Sequence, residues 1–160
     1  MTATDTHTSA TTQVYQVLIR ATAQRIWDAI TTPEFTSRYF HGACVETTGE
    51  TGTPIRYYAP DGTTLWGDEI IEESDPPHKL VVPWRSLYDH DMGAEPRSRV
   101  TWLIEEHGRG VCLLTVVHDR LENSPRTATS VSGIGWLSVI DGLKTLLETG
   151  QPLFDADSPT

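Results

Sequence analysis

Few residues of this chain are spaced for catalysis. The sequence holds no G-x-S-x-G elbow, no H-E-x-x-H, no Walker-type phosphate loop and no C-x-x-C. Gly133-Ile134-Gly135 lacks the third glycine and follows no strand pattern, so it is not a dinucleotide fingerprint. His118 stands out because it ends the apolar run GVCLLTVVH and precedes Asp119, whose side chain should point to the opposite face. There it could donate to a ligand oxygen or move a proton near neutral pH. Equally, it could be a core histidine satisfied by a backbone carbonyl. It is the one weak catalytic candidate, and no matched acid or base accompanies it. Asp89, His90 and Asp91 are consecutive, and adjacent residues rarely reach one ion together, so they read as a solvated loop. No metal and no cofactor is expected. Cys112 reads as a small inner-face hydrophobe and Cys44 has no assigned role. Arg56, Arg85 and Arg99 could anchor an anionic head group or pair with nearby carboxylates.

Those residues need elements to hold them. Residues 1–13 are Thr-rich and poor in apolar surface, which predicts a disordered tail; 151–160 predicts a flexible one. One domain over 14–150 lies between. VYQVLIR alternates, with Val14, Gln16 and Leu18 on one face and Tyr15, Val17 and Ile19 on the other. Thr22 can cap a helix whose Ala23, Ile26, Trp27 and Ile30 form one stripe, and Pro33 ends it before a second short helix, EFTSRYF. From Gly42 to His118 short strand-like runs follow, GACVETT, PIRYYAP, TTLWGDEIIEES, HKLVVPW, SRVTWLIEEH and GVCLLTVVH. Turn signals at Asp61-Gly62, Asp75-Pro76-Pro77 and Gly108-Arg109-Gly110 make them antiparallel. After Pro125 a long helix runs to Thr149, its stripe being Trp136, Ile140, Leu143 and Leu147. The fold class is α+β: a curved antiparallel sheet of six to seven strands, two short helices after the first strand, and a terminal helix across the sheet.

Composition excludes several partners. The 160 residues carry twelve Lys and Arg against twenty-two Asp and Glu, a net charge of −10. That balance repels nucleic acid and anionic lipid. No apolar run approaches the ~20 residues of a membrane span, and the start is not a signal peptide. Two cysteines make no disulfide framework, so a cytoplasmic, reduced protein is expected.

Strand parity puts Cys112, Leu114, Val116 and His118 on one face, with Val100, Trp102 and Ile104, and with Leu80, Val82 and Trp84, beneath the terminal helix. The helix turns small and polar at TATSVSGIG, just before Trp136. Aromatics converging where a helix offers Ser132 and glycine favour a chamber over a filled core. Its expected lining is Tyr39, Tyr58, Trp66, Trp84, Trp102, Leu114, Val116, His118, Ser132, Trp136 and Ile140.

Order and motifs resemble the SRPBCC superfamily, the START-like or Bet v 1-like helix-grip fold. Within it, the chain is similar to the family named after the activator of the heat-shock-protein-90 ATPase. The resemblance is carried by IRATAQRIWDAITTPE, IIEESDPPHKLVVPW, the pair SRVTWLIEE and LLTVVHDRLE, and GIGWLSVIDGLKTLLETG, over about residues 14 to 150. It implies a cavity for a lipid, sterol or other hydrophobic molecule, or a polyketide-type cyclisation. A histidine after this strand is common in the similar family. The chaperone activator's second domain has no counterpart here, so a chaperone contact is a minor expectation. The leading expectation is a protein that binds a small hydrophobic or amphipathic molecule and is not an enzyme. A cyclase or isomerase using His118, or a chaperone-interacting module, are the alternatives, and a homodimer is a further candidate partner state.

Overall fold

A computed structural model describes residues 11–154. Residues 1–10 and 155–160, parts of the two expected tails, lie outside the described residues, and Gln13 already belongs to the first strand. Strand β1 (Gln13–Ile19) is followed by α1 (Ala23–Thr31) and α2 (Pro33–Tyr39). Then come β2 (Cys44–Thr47), β3 (Pro54–Tyr58), β4 (Leu65–Ile70), β5 (Glu73–Asp75) and β6 (Lys79–Trp84). A single turn of helix, α3 (His90–Gly93), precedes β7 (Ser98–Glu106) and β8 (Cys112–Asp119). The chain closes with α4 (Pro125–Val131) and α5 (Ile134–Thr149). Among the described residues no helix is long and apolar enough to cross a membrane.

All strand pairs are antiparallel, in the order β1-β8-β7-β6-β5 and, separately, β2-β3-β4. The run TTLWGDEIIEES, expected as one strand, divides at Ile71–Glu72. Ile71 still bonds to the β3 side, through Thr53 O at 3.0 Å and Gly52 N at 2.9 Å, whereas Glu72 N reaches Val81 O of β6 at 2.9 Å. The two ladders meet at this corner and curve around the helices.

Period-2 alternation decides what is buried. On β1, Val14 and Leu18 are about half exposed while Ile19 is fully buried. On the inner face of β6, β7 and β8, Leu80, Val82, Val100, Trp102, Ile104, Cys112, Leu114, Val116 and His118 are all buried. Helix α5 lies over that floor with Trp136, Val139, Ile140, Leu143, Leu146 and Leu147. Thr22 caps α1, its hydroxyl accepting from Arg25 N at 3.2 Å.

The terminal helix is not continuous, as the apolar stripe alone suggested. It breaks at Ser132-Gly133, where Gly133 adopts φ 56° and ψ −117°, a backbone region essentially reserved for glycine. Two residues on, a Cβ at Gly135 would lie 2.8 Å from Ser130 O, so the break needs a second glycine to close up. The polar segment TATSVSGIG is therefore a hinge between helices as well as a stretch of small side chains.

Candidate functional site

Aromatic side chains from four elements converge beneath this hinge. Phe40, directly after α2, sits at their centre, with ring centroids 5.5 Å from Tyr57, 6.1 Å from Trp84, 6.2 Å from Trp136 and 6.4 Å from Trp102. Trp136 stands on edge against Trp102 at 5.6 Å and tilts against Trp84 at 5.7 Å. Between these rings and the β3–β4 ladder lies a cavity of about 350 Å³. Ile55 and Tyr57 of β3 and Trp66, Gly67 and Glu69 of β4 form one wall, Val82, Pro83, Trp84 and Arg85 another. Val131, Gly135, Trp136 and Val139 close it from the helices, and exposed His41, Tyr88 and Ser130 stand at its rim.

Of the eleven residues expected to line a chamber, Trp66, Trp84 and Trp136 do. Tyr39 does not: it is buried, and its hydroxyl donates to Ala29 O at 2.7 Å. Tyr58 faces the other side of β3, its hydroxyl 3.5 Å from Glu46, and Tyr57 takes the inward place. Trp102, Leu114, Val116 and Ile140 are core residues, each at most 1% exposed, behind the cavity wall. Ser132 spends its hydroxyl on Thr129 O at 2.9 Å, and Ser130 lines the cavity instead.

His118 is sealed as well. Its ring is fully buried and stacks edge-on against Trp84 and Trp136, at 5.9 Å from each. Trp136 Nε1 donates to its Nδ1 at 3.1 Å. An indole N–H only donates, so Nδ1 must be unprotonated and the proton sits on Nε2. Nε2 therefore donates to Ser98 Oγ at 2.7 Å, and Ser98 passes its own proton to Trp84 O at 3.3 Å. Every donor in this relay has an acceptor. Burial holds the imidazole pKa down to about 4, against a small opposing pull from Asp119, so the ring is neutral. Asp119 itself is turned away and held ionised by two hydrogen bonds from Arg99, at 2.9 and 2.6 Å.

The cavity's polar groups are in the opposite condition. Tyr57 OH, Glu69 Oε2 and Arg85 Nε are buried and have no hydrogen-bond partner among the described residues, a condition that Trp102 Nε1 shares in the core behind them. All three side chains line the cavity. Glu69 Oε1 accepts from Arg97 Nε at 2.6 Å, and Oε2 has no partner among the described residues. Burial raises the Glu69 pKa, against the downward pull of Arg97 and Arg85, and burial raises that of Tyr57. Arg56 and Arg99, by contrast, are paired, with Asp68 at 3.0 Å and Asp119 at 2.6 Å. Among the described residues no cluster of His, Cys, Asp and Glu could hold a metal ion. In the loop before β7, Asp89 caps α3 and Asp91 pairs with Arg126 at 3.7 Å.

The sequence reading missed Tyr57 and Glu69. One signal was available: Gly67, Glu69 and buried Ile71 share parity on one run, which turns Glu69 inward.

The family model described as Activator of Hsp90 ATPase homolog 1-like protein matches residues 20–148. The chain belongs to this family. Its fold is the helix-grip fold, an antiparallel sheet around a long terminal helix. DynU16, a protein of the dynemicin biosynthetic locus, superposes with a TM-score of 0.69 at 22% identity, over 89% of this chain and 49% of its own. The chain thus spans about half the length of DynU16. The Aha1 dimer from Colwellia psychrerythraea gives 0.66 at 16% identity, over 88% of this chain and 98% of its own. An HSP90 activator from Plasmodium falciparum gives 0.65 at 16% identity, over 89% and 99%. No curated protein matches the chain. At these identities the likeness shows the fold; the family's members share a scaffold on which the site must be argued from its own residues.

Proposed function

We propose that this chain binds a small amphipathic molecule in the cavity between the β3–β4 ladder, β6 and the α4–α5 hinge. One observation carries the reading: an aromatic-walled space of about 350 Å³ is lined mainly by apolar side chains, with Tyr57, Glu69 and Arg85 among them. Apolar walls with a few convergent polar groups are the usual form of a small-molecule site. Affinity comes from apolar burial, about 25 cal/mol per Å² before ordering costs, and orientation from the polar end. A proton-transfer role for His118 finds no support in the geometry, because the ring does not line this cavity and both nitrogens are engaged.

Native mass spectrometry of freshly purified protein tests the reading. We expect either a dissociable mass of about a few hundred daltons or, after incubation with 2-naphthol, a one-to-one adduct that Trp84→Ala abolishes. A protein that emerges bare and takes up no 2-naphthol would show that the space does not bind.

Family membership supports a second reading, a chaperone-contacting module, with self-association as a partner state. It predicts stimulation of a heat-shock-protein-90 ATPase by the purified chain. An unchanged ATPase rate at saturating chain concentration would eliminate it.

A further inference from the structure

We propose that the cavity takes a molecule with a flat apolar body and a carboxylate head, and that Arg85 holds the carboxylate. The proposal rests on the binding reading above and names the ligand class of that same site.

The pairing of charges singles out Arg85. Five cationic side chains of the described residues are partly buried: Arg56, Lys79, Arg85, Arg99 and Lys144. Arg56 pairs with Asp68 at 3.0 Å, Lys79 with Glu73 at 3.1 Å, Arg99 with Asp119 at 2.6 Å and Lys144 with Glu148 at 2.8 Å. Arg85 has neither an ion pair nor a hydrogen bond among the described residues. Of the three arginines that the sequence offers as anchors, Arg56 and Arg99 are therefore taken and Arg85 is not. A cation held partly out of water without an anion loses hydration and gains no pairing in return.

The chain fixes where this cation stands. Arg85 directly follows β6 and lies between two ties. Trp84 Nε1 donates to Ser86 Oγ at 3.2 Å, and Leu87 N donates to Trp66 O of β4 at 3.1 Å. Arg85 lines the cavity together with those two tryptophans. Its Nε is sealed, whereas Nη1 and Nη2 are neither sealed nor bonded. The open end of the guanidinium is thus its terminal pair, a planar fork that a carboxylate meets with both oxygens.

Local charge favours an anion there despite the chain's net charge of −10. Glu69, which lines the same cavity, feels the charges of Arg97, Arg85 and Asp68. Arg97 pairs with Glu69 at 2.6 Å and Arg56 with Asp68 at 3.0 Å, which leaves Arg85 as the unmatched charge of the group. An arriving carboxylate completes a pair instead of competing for one. A neutral head makes a hydrogen bond roughly half as strong as one in which both partners are charged, and a cationic head is repelled. The rings of Phe40, Trp84 and Trp136 suit a flat body, which gains from offset and edge-on packing.

Isothermal titration of the whole chain near neutral pH with 2-naphthoate, 2-naphthamide and 2-naphthol tests the proposal, in the wild type, Arg85→Gln and Arg85→Lys. Wild type should bind 2-naphthoate about tenfold more tightly than 2-naphthol or 2-naphthamide, its uncharged isostere. Arg85→Gln should erase that advantage and leave 2-naphthamide within about twofold of wild type. Arg85→Lys should keep part of it, since the charge remains while the fork is lost. Added salt should weaken 2-naphthoate and spare 2-naphthamide. If 2-naphthoate binds wild type no more tightly than 2-naphthamide, or binds Arg85→Gln as well as wild type, the carboxylate proposal is overturned and the cavity remains a binding site. Failure of all three probes to bind would remove the binding reading with it. Circular dichroism separates loss of selectivity from loss of fold, and the wild-type comparison of the two isosteres stays decisive if a variant unfolds.

Discussion

Two buried polar groups of this protein sit on opposite sides of Trp136. Behind it, His118, Ser98 and the Trp84 carbonyl form a relay in which every proton has a destination. In front of it, Tyr57, Glu69 and Arg85 each carry a buried atom without a protein partner. The two sets share burial, aromatic surroundings and perturbed proton affinity. What separates them is satisfaction. A completed hydrogen-bond network fixes the core that makes it, whereas buried groups left unpaired cost stability and gain only when something else supplies the partner. A histidine in an aromatic pocket draws the eye first, yet here it belongs to the scaffold.

Breaking the sealed side should produce the largest effect. Trp102→Ala removes a fully buried ring from behind Trp136 and should cost ~3–5 kcal/mol in urea unfolding. The folded fraction should still bind 2-naphthol. Lost binding at an unchanged unfolding midpoint would merge the two sides into one site.

The relay should also show in the pH dependence of stability. His118 has a folded pKa of about 4 against 6.5 for the free side chain. Its neutral form is favoured on folding, so its contribution is complete above pH 6.5 and is lost as pH falls towards 4, where the unfolded chain takes the proton first. The loss over that window is ~3 kcal/mol. His118→Gln can still accept from Trp136 and donate to Ser98, and it should lack this slope. Parallel stability profiles for the two proteins would mean that the ring is not held neutral.

A smaller effect sharpens the comparison from the other side. Tyr57→Phe deletes an unpaired hydroxyl and should raise the stability of the unliganded protein by ~1 kcal/mol or less. A melting temperature that falls instead would place Tyr57 OH among the satisfied groups.

The sealed side was legible in the sequence and the open side largely was not, for a physical reason. On β6, β7 and β8 apolar residues alternate without interruption, so parity alone assigned Val82, Trp102, Val116 and His118 to the inner face. On β3 the adjacent Tyr57 and Tyr58 give no polarity contrast, and the register with β4 shifts between them, so the local pattern did not tell the inward tyrosine from the outward one. Only its pairing with Arg97, distant in sequence, makes the burial of Glu69 tolerable. The helix stripe carried through Gly133, because a hydrophobic pattern reports which face is buried and not where the backbone breaks.

The most direct measurement is a crystal structure of the protein with 2-naphthol. The account predicts the ring packed among Phe40, Trp84 and Trp136, and His118 unmoved between Ser98 and Trp136. A molecule bound elsewhere, or a cavity closed by its own side chains with Tyr57 and Glu69 paired inside the protein, would contradict it.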